Sequence, residues 1–197
     1  MTSHALMMVD KETFARFVAK ADRGYRYEWV RAWIMQRQAG GTRRHAILAA
    51  SILKALDRAL EPASYTVLGS DLAIDTGDAI RYADVVVERR GAGPGESLTT
   101  AEPVVIVEVL SPSSEERDLG AKPADYLALR SLEAYIVAHQ DAARCYLWRR
   151  DGAGSFAATP TTIEGLDGAI EVPALNLRLL LAAIYGGADI AAVNEDE

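Results

Sequence analysis

Two carboxylates that lie within apolar segments are the residues of this sequence best suited to do chemistry. Glu108 interrupts the apolar run PVVIVEVLSP, and Asp84 directly precedes the three valines of RYADVVVE. An ionised side chain costs several kcal/mol to bury unless it is paired or bound to a metal. Two neighbouring strands that each present one carboxylate would form a hard oxygen site, which suits Mg²⁺ or Mn²⁺. The pattern therefore predicts a metal site at Asp84 and Glu108.

The spacing of the two acids also permits an interpretation without a metal. The twenty-three residues between them can accommodate a flexible loop and return the chain alongside. Glu108 could instead point to solvent at a sheet edge, or it could pair with an arginine. Spacing alone leaves both interpretations open.

The composition is that of an ordinary globular protein. The chain has 197 residues, of which half are hydrophobic and a quarter charged, and this length corresponds to one domain. The single cysteine, Cys145, excludes an intramolecular disulfide and a CxxC metal site, and we expect it to be a buried small residue. The N-terminal sequence has neither the basic nor the apolar region of a secretory signal, and no apolar run is long enough to span a bilayer. We therefore expect a cytoplasmic protein without membrane association.

The charge is unevenly distributed along the chain. The net charge of −7 argues against a generally basic nucleic-acid binder. Residues 1–60, however, carry eleven Lys and Arg against five Asp and Glu, whereas the remainder carries ten against twenty-three. A basic N-terminal third could face phosphates, or it could be a solvated surface with no partner. Charge alone leaves both possibilities open.

Hydrophobic periodicity predicts helices and strands in mixed order. Helices are expected at 10–21 with Asp10 as cap, at 42–60 with Thr42 as cap, at about 119–130 and at 175–185. The predicted strands are YRYEWV, AWIMQRQ, YTVL, DLAI, AIRYADVVVE, the run containing Glu108, EAYIVA and CYLWRR. The glycine-rich segment 89–102 is expected to be a loop, and residues 190–197 a disordered tail. The order indicates an α/β or α+β domain with a mixed sheet.

Several of these segments resemble one known family. The matching segments are Asp84-Val-Val-Val, Glu108-Val-Leu-Ser-Pro-Ser-Ser, Arg117-Asp-Leu-Gly-Ala-Lys122 with Tyr126, Glu133-Ala-Tyr-Ile-Val, and upstream Tyr27-Glu28 and the helix opening at His45. Together they resemble the Uma-two family of "putative restriction endonucleases", which belongs to the PD-(D/E)XK nuclease superfamily. The resemblance extends from about residue 10 to about residue 185.

The resemblance implies a fold and a reaction. The fold would be a restriction-endonuclease-like αβββαβ core at about 42–150, with a mixed central sheet and an N-terminal helix plus strand pair, within a single domain 1–197. Asp84 and Glu108 would bind Mg²⁺ or Mn²⁺ for hydrolysis of DNA phosphodiester bonds. Leu110 stands where the motif has its lysine, so Lys122 from the next helix would orient the attacking water or stabilise the phosphate. By analogy of fold, we also expect a homodimer.

Other residues are weaker candidates for the site. Glu28 and His45 match residues of the family pattern, although alone they would be interpreted as a surface carboxylate and as a helix cap or packed side chain. Arg43, Arg44 and Arg117 are candidates for phosphate contacts, although isolated surface arginines usually have no such role. Two functions of other classes stay open: a catalytically silent nuclease-fold protein that binds nucleic acid or a protein partner, and a hydrolase of another phosphate ester.

Overall fold

The computed structural model describes residues 4–22, 24–38, 41–110 and 117–186. The tail predicted at 190–197 lies outside them. The helices are α1 (Lys11–Val18), α2 (Arg43–Ala59), α3 (Lys122–Tyr126) and α4 (Leu181–Tyr185). The strands are β1 (His4–Met8), β2 (Tyr25–Val30), β3 (Trp33–Gln38), β4 (Tyr65–Gly69), β5 (Ala73–Asp75), β6 (Ala79–Tyr82), β7 (Val85–Arg89), β8 (Thr99–Thr100), β9 (Pro103–Leu110), β10 (Ala134–His139), β11 (Arg144–Arg149), β12 (Thr161–Glu164), β13 (Ala169–Val172) and β14 (Leu177–Leu180). No helix in these ranges is long and apolar enough to cross a membrane.

The two longest helices begin where the sequence predicted caps. Asp10 Oδ1 accepts a hydrogen bond from the backbone N–H of Thr13 at 2.8 Å, ahead of α1. Thr42 Oγ1 accepts one from the N–H of His45 at 3.2 Å, ahead of α2. Each cap satisfies a backbone donor that the first helical turn leaves unpaired. The cap of α2 also fixes the position of His45 in its first turn.

A mixed six-stranded sheet forms the centre of the fold, in the order β12-β11-β10-β9-β7-β4. Strands β9 and β10 are parallel, and the other neighbours are antiparallel. Strand β9 is buried along its whole length because it lies between β7 and β10 and is covered on both faces. The order α2, β4, β7, β9, α3, β10 reproduces the expected αβββαβ core, and the predicted fold class is confirmed.

The two faces of β9 pack against different helices. Val105, Val107 and Val109 belong to the apolar cluster that contains the buried residues of α2. Ile106 and Leu110 belong to the cluster around Tyr126 of α3. Since side chains alternate along a strand, Glu108 shares the face of Ile106 and Leu110. The carboxylate is therefore directed towards α3.

A second six-stranded sheet, the N-terminal sheet, has the order β1-β3-β2-β6-β5-β8. The predicted strand AIRYADVVVE is in fact two strands, because the chain leaves the N-terminal sheet after Tyr82 and enters the central sheet at Val85. Asp84 lies at this crossing point. The predicted loop 89–102 also contributes the short strand β8.

Two helix predictions in the C-terminal half were wrong in extent or type. The helix predicted at about 119–130 consists of a π-helical turn (Arg117–Ala121) followed by α3, which ends at Tyr126. In the predicted helix 175–185, residues 177–180 form β14, paired with β13, and only the remainder is helical. Burial alternates along β14, but its apolar, leucine-rich sequence conceals that period of two.

Candidate active site

The buried carboxylate of Glu108 is paired with the ammonium of Lys122. Glu108 is 4% exposed, and its Oε1 accepts a hydrogen bond from Lys122 Nζ at 2.5 Å and another from the hydroxyl of Tyr126 at 3.3 Å. Neither an exposed glutamate nor a glutamate–arginine pair describes this arrangement, so both of these alternatives were wrong. Burial raises the pKa of Glu108 to about 8, although the positive charge of Lys122 opposes this rise, so without a bound cation Glu108 becomes ionised only as the pH approaches 8.

Lys122 reaches this position although Pro123 follows it directly. The proline lies in the first turn of α3, where its lack of an N–H leaves no helical hydrogen bond unmade. Lys122 is 3% exposed, and its Nζ also lies 3.1 Å from Asp118 Oδ1 and 3.4 Å from the carbonyl oxygen of Tyr82. Burial would lower the pKa of Lys122, but the charges of Glu108 and Asp118 outweigh burial and raise it. Lys122 is therefore an ammonium.

Asp84 is held against β9 by its backbone and its side chain. Its N–H donates to the carbonyl of Val107 at 3.1 Å, and its Oδ2 accepts the N–H of Val109 at 2.7 Å. These two contacts flank Glu108 along the strand. Burial would raise the pKa of Asp84, but the hydrogen bond and charge of His45 and the hydrogen bond from Val109 lower it. Asp84 is therefore an ionised carboxylate beside Glu108.

His45 belongs to this cluster through Asp84. Its Nε2 lies 3.2 Å from Asp84 Oδ2, and its side chain is largely buried beside the start of α2. The hydrogen bond to Asp84 raises the pKa of His45 above its ordinary value. The histidine predicted from the family pattern thus contacts one of the two acids, and its backbone N–H is the partner of the Thr42 cap.

The two acids offer a donor set that fits Mg²⁺ or Mn²⁺. Hard cations of this kind bind carboxylate oxygens, and Mg²⁺ commonly takes one or two carboxylates while water and substrate phosphates supply the other ligands. Asp84 is ionised, and its negative charge is one of the causes that raise the pKa of Glu108. Among the described residues, no group of three or more His, Cys, Asp and Glu side chains could hold a metal. A cation here would depend on the two carboxylates and on ligands from outside the protein.

Glu28, by contrast, belongs to a network of charged side chains that joins the N-terminal sheet to α3. Its carboxylate accepts a hydrogen bond from Arg37 Nε at 2.6 Å and another from Arg81 Nη1 at 3.4 Å. Arg81 also contacts Asp125 of α3 at 2.6 Å. Burial would raise the pKa of Glu28, but the charges of Lys122, Arg37 and Arg81 lower it. The structure thus places Glu28 with arginines, next to the segment that carries Lys122.

The three arginines predicted to contact phosphates differ in their surroundings. Arg43 and Arg44 are exposed at the start of α2, and Arg44 is paired with the carboxylate of Asp141. Arg117 begins the π-helical turn that precedes α3. Their contacts with phosphates stay a prediction.

Sequence reasoning did not identify three buried charged residues around the site. Asp118 is an ion-pair partner of Lys122, and the i,i+4 spacing of the two residues was visible in the sequence. Arg81 and Asp125 form a buried pair across the contact between β6 and α3. Their contact joins segments that are distant in sequence, and no local sequence pattern predicts it.

The core αβββαβ order, with one acid directly before β7, one in β9 and a lysine from the next helix, defines a nuclease-like fold of the restriction-endonuclease type. The family model described as "Putative restriction endonuclease" (Uma2) matches residues 12–182, and the chain belongs to this family. The resemblance proposed from the sequence is confirmed. No curated protein has a sequence that matches this chain significantly.

One solved structure supports the same fold. The crystal structure of a "putative nuclease belonging to DUF820" from Anabaena variabilis is similar with a TM-score of 0.72 and 14% identity, and the match covers 89% of this chain and 96% of that one. The type IIG restriction endonuclease BpuSI matches with a TM-score of 0.39 and 18% identity, over 61% of this chain and 13% of its own. The first match shows a shared fold over nearly the whole of both chains, whereas the TM-score of the second is too low to indicate a shared fold.

Proposed function

We propose that the protein is a metal-dependent endonuclease that hydrolyses DNA phosphodiester bonds, with Mg²⁺ or Mn²⁺ as cofactor. The observation that carries this proposal is the placement of Asp84 beside Glu108. Asp84 accepts a hydrogen bond from the backbone N–H of Val109, the residue after Glu108. Lys122 of α3 contacts Glu108 itself. Membership of a family described as restriction endonucleases supports DNA as the substrate.

Each residue of the site has a role that follows from its charge and its contacts. Asp84 and Glu108 would hold the divalent cation, which when bound supplies an activated water and polarises the phosphoryl group. Lys122 is an ammonium, and it would orient the attacking water or donate a hydrogen bond to a phosphate oxygen that gains negative charge. His45 would keep Asp84 ionised and correctly oriented, as the hydrogen-bond partners of metal ligands commonly do.

The start of α2 would contact the backbone of the DNA. Arg43 and Arg44 are exposed there, one turn or less from His45, which itself contacts Asp84. Arginine side chains and helix N-termini both attract phosphate. Arg117, at the start of the π-helical turn that leads to Lys122, is the third arginine for which we propose such a contact. A basic surface near the site would compensate for the net charge of −7 of the whole chain.

We further propose that the chain is a single domain that acts as a homodimer in the cytoplasm. A symmetric dimer would place one active site on each strand of a duplex. Analytical ultracentrifugation tests the dimer directly. A monomer that nicks one strand of DNA would overturn the dimer and leave the chemistry in place.

Cleavage of supercoiled plasmid tests the proposed chemistry. The native protein should nick plasmid with Mg²⁺ or Mn²⁺ and not with EDTA, and Asp84→Ala and Glu108→Ala should abolish the nicking. Asp57→Ala on the exposed face of α2 and Glu102→Ala just before β9 remove carboxylates of the same types from exposed positions, and these controls should nick normally. No nicking by any protein, or equal nicking by all of them, contradicts the assignment.

The burial of the site favours a second candidate function. Glu108 and Lys122 are 4% and 3% exposed, so a reacting phosphate reaches them only if neighbouring groups move. A catalytically silent member of the fold would bind nucleic acid, or a protein partner, without cutting it. Metal-independent retention of DNA in gel-shift assays, with no cleavage under any metal, favours this candidate. Hydrolysis of small phosphodiesters without cleavage of DNA would instead indicate a different phosphate ester as substrate.

A further inference from the structure

A buried arginine connects the N-terminal sheet to the helix that carries Lys122. Arg81 in β6 is 3% exposed, and its Nε donates to Asp125 Oδ2 at 2.7 Å while its Nη2 lies 2.6 Å from the same oxygen. Its Nη1 donates to Glu28 Oε2 at 3.4 Å. One guanidinium thus bridges a carboxylate of β2 and a carboxylate of α3, which is a geometry that the planar fork of arginine allows.

Asp125 and Lys122 lie three positions apart on α3, so their side chains emerge from the same side of the helix. Strand β6 contacts this side twice. Arg81 holds Asp125, and the carbonyl of the next residue, Tyr82, accepts a hydrogen bond from Lys122 Nζ at 3.4 Å. A change in the contact between Arg81 and Asp125 would therefore be transmitted to Lys122.

Helix α3 has few orienting contacts of its own. It is five residues long, and no side chain caps its first turn. The buried ring of Tyr126 anchors it in the apolar cluster beneath, and the hydroxyl of Tyr126 donates to Glu108 of β9 at 3.3 Å. These contacts join α3 to the central sheet. The directional contacts of Asp125 with Arg81, and with Arg31 at 3.1 Å, join α3 to the N-terminal sheet and add a second restraint on its orientation.

Stability alone does not explain this network. A buried ion pair is costly to desolvate, and apolar residues of similar volume are often as stabilising. Here Glu28, Arg81 and Asp125 are all buried, and their partners are arranged between the N-terminal sheet and the segment that carries Lys122. A network of this kind is well suited to fix one orientation of the helix that it contacts.

We propose that Arg81 and Asp125 are positioning residues of the active site. Their ion pair sets the orientation of α3, and thereby holds Lys122 Nζ on Glu108. Neither residue touches the two acids in the described contacts, and neither was a candidate from the sequence. The role in catalysis rests on the proposed nuclease function, whereas the positioning of Lys122 is a structural claim that can be tested without any activity.

The crystal structure of Asp125→Asn tests the positioning directly. The substitution keeps the shape of the side chain and removes the charge that Arg81 contacts. Lys122 Nζ should move from 2.5 Å to beyond hydrogen-bond distance of Glu108 Oε1. Glu164→Gln is the matched control, because it removes an acid that is paired with Arg144 at 2.5 Å on the exposed surface of the central sheet. If Asp125→Asn does not fold, Arg81→Lys is the second variant. It keeps the positive charge but lacks the guanidinium that bridges Asp125 and Glu28, and the same displacement of Lys122 is expected.

Kinetics then test the consequence for the reaction. If the native protein nicks plasmid, Asp125→Asn should lower kcat about 10- to 100-fold, as the loss of a supporting hydrogen bond around a metal site commonly does, and leave KM for DNA unchanged. In the Lys122→Met background the same substitution should have no further effect on kcat, because Arg81 and Asp125 act through Lys122. If Asp125→Asn lowers kcat by the same factor in the Lys122→Met background as in the native protein, the substitution damages the fold in general, and the proposal is overturned.

The outcomes separate this proposal from the proposed function. A native protein that does not cut DNA, together with a displaced Lys122 in Asp125→Asn, overturns the nuclease function and supports the positioning. A Lys122 that stays on Glu108 in both Asp125→Asn and Arg81→Lys overturns the positioning whatever the activity. A displaced Lys122 with an unchanged kcat overturns the catalytic consequence.

Discussion

Lys122 Nζ lies 2.5 Å from Oε1 of Glu108, across the contact between α3 and β9. This contact compensates the cost of burying an acidic side chain in a strand that is covered on both faces. The compensating charge comes from a residue fourteen positions further along the chain, and it arrives on a short helix that the N-terminal sheet holds in place. The stability of the fold and the proposed chemistry of the site therefore depend on the same pair.

Removal of Lys122 should destabilise the fold. At pH 9 Glu108 of the native protein is ionised, so Lys122→Met removes the partner of a buried charge, and such a loss typically lowers the free energy of unfolding by about 3–5 kcal/mol. The double variant Glu108→Gln/Lys122→Met removes both charges and should recover a large part of this loss. Urea denaturation of the four proteins measures the coupling. Strictly additive losses would show that the two residues do not stabilise each other.

Replacement of His45 should weaken metal binding. His45 Nε2 contacts Asp84 Oδ2 at 3.2 Å, and partners of metal ligands typically contribute about 10- to 100-fold in affinity. His45→Ala should therefore lower the affinity for Mn²⁺ by that factor in calorimetric titration. His139→Ala, which changes a histidine of β10 that contacts the backbone of Asp141, is the control and should bind Mn²⁺ normally. Equal affinities of His45→Ala and the native protein for Mn²⁺ would show that His45 does not support metal binding.

Arg43 should contribute to DNA affinity through phosphate alone. Arg43 is exposed at the start of α2, two residues before His45, so Arg43→Gln should weaken binding of all DNA sequences alike if Arg43 contacts the phosphate backbone. The slope of the logarithm of affinity against the logarithm of salt concentration should fall in magnitude by about 1. Arg58→Gln, at the opposite end of the same helix, should change neither quantity. An unchanged salt slope in Arg43→Gln contradicts the contact.

Cys145 should be unreactive in the folded protein and should make stability depend on pH. Burial raises the pKa of the thiol from 9.0 to about 12, and burial also raises the pKa of Tyr185, whose hydroxyl lies 3.7 Å from the sulfur. Above pH 9 the unfolded thiol loses its proton while the folded thiol keeps it. The free energy of unfolding should therefore fall as pH rises from about 9 towards 12, with a contribution from this thiol of at most about 1.4 kcal/mol per pH unit.

Two measurements check the behaviour of Cys145. A thiol reagent at pH 8 should label the protein in urea and leave the folded protein unlabelled. Cys145→Ala should show a shallower loss of stability above pH 9 than the native protein. Rapid labelling of the folded chain would mean that Cys145 is accessible.

Local sequence patterns predicted those structural features, such as helix caps and an apolar strand, that depend on residues close together in the chain. Asp10 and Thr42 cap their helices as expected, because a cap needs only a side-chain oxygen and the next turn. The apolar run predicted strand β9, and the family pattern predicted a site role for Lys122, which contacts Glu108 in the structure. The chain crossing at Asp84 was missed, since a break between two sheets leaves an apolar strand pattern uninterrupted.

The rest of the site depends on contacts between distant segments. Arg81 and Asp125 are 44 positions apart, and nothing in either segment indicates that they meet. The sequence predicts a helix at residues 177–180 because leucines occupy both faces of a strand that alternates in burial. In each case tertiary packing decided between structures that the local sequence allowed equally.

The rate of plasmid nicking as a function of Mn²⁺ concentration, in native protein, Glu108→Gln and Glu102→Gln, tests the central claim most directly. Glu108→Gln keeps the size of the side chain and removes the charge that would bind the cation, whereas Glu102→Gln makes the same change at an exposed position before β9. We expect Mn²⁺-dependent nicking by the native protein and by Glu102→Gln, and none by Glu108→Gln at any Mn²⁺ concentration. Equal nicking by all three proteins, or the absence of nicking in the native protein, would contradict it.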